Sequence, residues 1–81
     1  QNYPNPFNPS TNIGFTVPQA SPVSLVVYDL LGRPVQTLVD GTVAAGAHEV
    51  VFEAGNLPSG TYVYRLQAGG QTLTRTLVLM K

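Results

Sequence analysis

Ser59, His48 and Asp40 are the residues of this chain that could supply a nucleophile, a base and an acid, the set that acyl transfer requires. Each is explained without chemistry by its setting, since Ser59 and Asp40 fall in turn-forming stretches and His48 opens a strand. His48 is the single histidine and there is no cysteine, so the usual metal partners are missing, as are disulfides and thiolate catalysis. The carboxylates are spread in the same way. Asp29 and Asp40 flank one hairpin, Glu49 and Glu53 lie on the exposed side of one strand, and neither pair has the spacing of a calcium loop. No glycine-rich phosphate cradle is present. The sequence therefore predicts no enzyme, no metal site and no cofactor.

The bulk properties of the chain restrict its partners. Its 81 residues make one small domain that buries roughly 60% of its unfolded surface. Four basic and four acidic residues balance, which argues against nucleic acid, where a basic stripe must release counterions, and against an anionic bilayer. Charged residues are 10% of the chain, against about 25% in an ordinary soluble domain; a low-charge surface built from Thr, Ser, Asn and Gln fits a module outside the cytoplasm. No apolar run approaches the roughly 18 residues of a membrane-crossing helix, so stable membrane insertion is not expected. The start at Gln1 reads as the cut end of a module from a longer polypeptide.

The elements that must position these residues are β-strands. Apolar residues recur at spacing two, and seven prolines and eight glycines interrupt the chain at short intervals. Residues 1–11 form a Pro/Asn-rich lead-in, where Pro4, Pro6 and Pro9 enforce an extended backbone and Tyr3 and Phe7 act as apolar anchors that pack it on the domain. Residues 12–81 form the domain proper. Strands are expected over Asn12–Val17, Val23–Asp29, Pro34–Val39, His48–Glu53, Thr61–Ala68 and Gln71 to about Met80. Thr42–Ala44 is at most a short edge piece, because Asp40-Gly41 and Ala45-Gly46 both signal turns. Ile13, Phe15 and Val17 share one face; Val50 and Phe52 point inward; the continuous Leu25-Val26-Val27-Tyr28 marks a central strand. Gly32 suits a tight hairpin, and Gly69-Gly70 turns the chain again. Tyr62 and Tyr64 read as core, with a hydroxyl bonded in the manner of a tyrosine corner. In the last strand Leu73, Leu77 and Leu79 compete with Val78 and Met80 for the inner face, and the register stays open. The fold expected is an all-β, antiparallel immunoglobulin/fibronectin-like β-sandwich of about seven strands.

Five strings carry a resemblance: Tyr3-Pro4-Asn5-Pro6-Phe7-Asn8-Pro9-Ser10-Thr11, Val26-Val27-Tyr28-Asp29-Leu30-Leu31-Gly32-Arg33, Ala45-Gly46-Ala47-His48, Leu57-Pro58-Ser59-Gly60-Thr61-Tyr62-Val63-Tyr64-Arg65-Leu66, and the final Lys81. In order over the whole chain, they resemble the type A C-terminal sorting domain of the type IX (Por) secretion system of Bacteroidetes and related bacteria. The resemblance implies a non-catalytic signal at the end of an exported cargo polypeptide. The cargo would wait in the periplasm, pass the outer-membrane translocon with its shuttle protein, and finish at the cell surface or outside. A sortase-like cysteine peptidase would commonly remove the domain.

The expected contact residues are Lys81, Met80, Leu79, Arg33, Gly32, Arg65 and Gly60. A receptor could add a strand to the open edge of the last strand, with Lys81 setting register, so that deleting Leu79–Lys81 would strand the folded cargo in the periplasm. Arg33 and Arg65 admit two readings: surface arginines beside turns, or partners for receptor carboxylates. The alternative functions are a generic immunoglobulin-like spacer and a carbohydrate-binding accessory module. The second would normally show a planar aromatic strip, and this chain has no tryptophan.

Overall fold

Alternating apolar and polar side chains organise the computed structural model, which describes residues 10–80, into six strands with no helix. The lead-in anchors Tyr3 and Phe7 and the final Lys81 lie outside the described residues. The strands are β1 (Ser10–Val17), β2 (Ser21–Tyr28), β3 (Pro34–Val43), β4 (Gly46–Glu53), β5 (Gly60–Ala68) and β6 (Gln71–Leu79). They form a two-stranded sheet, β1-β4, and a four-stranded sheet in the order β3-β2-β5-β6, with every pair antiparallel.

Six strands are described, against an expectation of about seven. β3 accounts for part of the difference. Asp40-Gly41 does not break it, because β2 starts early enough to offer partners: Ser24 lies opposite Asp40, Val23 opposite Gly41 and Ser21 opposite Val43. Two irregularities in this pairing, at Leu25/Val26 and Val27/Tyr28, take up the mismatch. The expected edge piece at residues 42–44 is therefore the end of β3.

The core lies between the two sheets. Ile13 and Phe52 from the smaller sheet meet Leu25, Val27, Tyr62 and Leu79 from the larger. Phe52, Leu25 and Val27 are wholly buried, as the period-two pattern requires when one face is covered and the other wet. β2 is central, as its apolar run foretells. Its outward side chains, Val26 and Tyr28, are only half-buried, and the Arg65 guanidinium covers the Tyr28 ring 5.3 Å from its centroid. The second apolar face is thus served by cross-strand neighbours instead of a further layer.

The register of β6 follows from β5. Tyr62 faces Leu77, Leu66 faces Leu73 and Gly60 faces Leu79 across the pair, and residues directly opposite share a face. Since Tyr62 is in the core, Leu77 and Leu79 turn inward, and Val78 and Met80 turn out. The β5–β6 hairpin closes through Gly69 (φ 57°) and Gly70 (φ 81°). Positive φ at both turn positions is the geometry that matches the twist of two-residue hairpins.

Candidate functional site

The antiparallel pairings bring one set of strand ends together. Glu53 lies beside Ser10 in one sheet; in the other, Pro34, Tyr28 and Val63 are aligned and Leu79 lies opposite Gly60. The short connections at residues 18–20 and 44–45 join the sheets at the opposite end. The loops at residues 29–33 and 54–59, the start of β1 and the end of β6 therefore share one end of the molecule. This end gathers parts of three of the strings singled out in the sequence, residues 10–11 of the first, 29–33 of the second and 57–60 of the fourth, which are far apart along the chain.

The 29–33 loop is built around one carboxylate. Asp29 Oδ1 accepts the Leu31 amide at 2.9 Å and the Arg33 amide at 3.0 Å, while Oδ2 accepts Arg33 Nε at 2.9 Å. Two backbone bonds close the turn, from Gly32 N to Asp29 O and from Asp29 N to Arg33 O. Gly32 sits at φ 85°, where its missing Cβ is an advantage. The Arg33 amide is the main cause holding the Asp29 carboxyl below its ordinary value; partial desolvation opposes it, and the Arg33 guanidinium and the Leu31 amide assist. The aspartate of this Asx-type turn went unread in the sequence, although an Asp two residues before an amide donor is its usual signal.

With its polar groups paired inward, the loop turns its apolar ones out. Leu30 is 68% and Leu31 78% exposed. Met80, beyond the end of β6, is also 78% exposed. Tyr62 holds the neighbouring loop: its hydroxyl donates to Pro58 O at 2.7 Å, and its ring is buried. This is the tyrosine-corner type of bond expected from the sequence.

The expected contact residues divide. Gly32, Arg33, Gly60 and Met80 lie at this end, whereas Arg65 stands on the outer face of the larger sheet over Tyr28. Leu79 is 5% exposed and belongs to the core. It can reach a partner through its backbone but not through a free side chain, so deleting Leu79–Lys81 would remove a core residue along with the terminus. Lys81 is outside the described residues.

The set imagined for acyl transfer does not assemble. Ser59 precedes β5 at the loop-rich end, while His48 lies near the other end of the sheets, stacked on Phe15 at 5.4 Å. His48 Nε2 donates to Ala44 O at 2.6 Å, because a carbonyl can only accept. Asp40 is exposed on β3. Among the described residues no group of three His, Cys, Asp or Glu could hold a metal ion, and no helix is long and apolar enough to cross a membrane.

The family described as "Secretion system C-terminal sorting domain" matches residues 1–80. No curated protein and no solved structure matches the chain. The match takes in the whole of residues 1–11, both sheets and the loop-rich end, and leaves out Lys81. The chain belongs to the C-terminal sorting domains of type IX secretion, signals that send a secreted protein to the cell surface or beyond.

Proposed function

We propose that the domain is read in the periplasm by the outer-membrane shuttle protein and the translocon, through the free edge of β6 and the residues that follow it. The observation that carries this reading is that, among the described residues, β6 pairs with β5 alone and ends its sheet. Such an edge offers unpaired N–H and C=O groups to an added strand, and along β6 only Arg75 is charged. Met80 and Lys81 would give the added strand its register, and Arg33 or Arg65 would meet receptor carboxylates. A sortase-like cysteine peptidase would then separate domain from cargo. The same reading takes the two-sheet fold as an immunoglobulin-like sandwich and residues 1–11 as a lead-in packed on it. It is preferred to sugar binding because Tyr62 is buried and Tyr28 lies under Arg65, which leaves these rings unsuited to stack on a polysaccharide.

The test fuses the 81 residues to a fluorescent passenger in a bacterium with a working type IX system. The full domain is expected to carry the passenger to the surface. A variant lacking only Met80 and Lys81 keeps Leu79 in the core and should unfold at the same temperature in isolation, yet hold the passenger in the periplasm. Equal surface delivery by that variant would remove the β6 terminus from the recognition step.

A further inference from the structure

We infer that the 29–33 loop is a preformed docking point, with Leu30 and Leu31 seated in an apolar cleft of the export receptor and Arg33 against a carboxylate at its rim. The inference rests on the sorting function proposed above and names a second contact, on a different strand connection from β6. Three observations carry it.

First, two neighbouring leucines are the most exposed large apolar side chains of the described residues apart from Met80, at 68% and 78%. Single exposed leucines need no explanation, but an adjacent pair on a loop tip is a patch. Second, the tip is rigid before any partner arrives, because Asp29 accepts three hydrogen bonds from the loop it starts and two backbone bonds close the turn. A preorganised loop loses little conformational freedom on binding, so more of the contact energy appears as affinity. Third, the patch continues toward the edge already proposed as an address. Only β5 separates β2 from β6, and Tyr28, where the loop leaves β2, is level through Val63 with Thr76 of β6, about 10 Å away at two inter-strand spacings, so the loop extends alongside the last residues of β6. Val78 and Met80 are exposed there, at 60% and 78%. One receptor surface spans both.

Charge selects a protein over a lipid surface. Attraction to anionic headgroups needs clusters of basic residues, and this chain carries four in all, balanced by four acids. Arg33 is the loop's single cation; its side chain is 72% exposed, with Nε held by Asp29. Its remaining donors suit a carboxylate on a partner. Asp29 is a positioning residue: it touches no partner and fixes where Leu30, Leu31 and Arg33 point.

The experiment compares surface delivery of the same fluorescent passenger on the whole chain carrying Leu30→Ser with Leu31→Ser, Asp29→Ala, Asp29→Asn, or Val51→Ser. Val51 is an exposed apolar residue of the smaller sheet and serves as the control. The unfolding temperature of each domain and its sedimentation are measured alongside. The double serine variant should keep its unfolding temperature and its monomer–dimer balance, while delivery falls on the order of tenfold, the consequence of about 1.4 kcal/mol of lost affinity. Asp29→Ala should also lower delivery, and Asp29→Asn, whose amide oxygen can still accept both loop amides, should retain most of it. Val51→Ser should deliver normally. Undiminished delivery by the double variant overturns the inference while leaving the sorting function intact. A shift in sedimentation without a loss of delivery overturns it too, by making the patch a contact between copies. If the unaltered chain fails to deliver, both readings fall together.

Discussion

Asp29 shows how one side chain can fix a loop that has almost no core beneath it. Its carboxylate accepts from Leu31 N, Arg33 N and Arg33 Nε, and these donors favour the charged form. The folded carboxyl therefore titrates below the ordinary aspartate value of 3.8. The sign follows: the ordering is complete above 3.8 and is lost as pH falls through the lower, folded value. Amide resonances of Leu31 and Arg33 followed by NMR on acidification should move together with a midpoint below 3.8; a midpoint at or above it would show that the carboxylate is not bonded as described. Single residues were unevenly legible in the sequence. Tyr62 could be placed in the core with its hydroxyl turned to the chain, since a tyrosine alternating with apolar residues has few other places to go. Leu79 could not be separated from Met80, because each fits one of two alternating patterns and only the pairing with β5 chooses between them.

At the scale of elements, the sequence announces strands better than their lengths. Gly69-Gly70 signals a turn and forms one, since two adjacent glycines permit positive φ twice in succession. Asp40-Gly41 carries an equally strong local signal and was overridden, because β2 supplies partners for the residues beyond it. Turn propensity amounts to a fraction of what several ladder hydrogen bonds and Leu25–Val39 packing can outweigh. A Cβ added to Gly70 would meet nothing within 4 Å, while the backbone there has φ 81°. Gly70→Ala should thus destabilise through conformation alone, by about 1–2 kcal/mol, read as a lower urea midpoint with an unchanged slope. No loss of stability would mean that the turn can adopt another type without disturbing β6.

For the molecule as a whole, the smaller sheet cannot stand by itself. Two strands are at best marginally stable in water, and β1-β4 is held through side chains that it inserts between the sheets, chiefly Phe52, which is wholly buried. The all-β class and the inward face of β4 were legible from spacing alone. The division into two strands and four was not, since it depends on which edges find partners across more than thirty residues, as Ser10 does with Glu53. That division predicts a single cooperative unit. Phe52→Ala should cost about 3–5 kcal/mol, a large share of the roughly 4–12 kcal/mol available to a domain of this length. Because Phe52 touches the core that also holds Leu25, Val27, Tyr62 and Leu79, the loss must fall on both sheets together. Hydrogen exchange measured by mass spectrometry should show β1, β4, β2 and β5 losing protection by the same factor in this variant. If β1 and β4 alone exchanged faster, the larger sheet would be stable without its cover, and its open edge could present a signal even when the smaller sheet is undone.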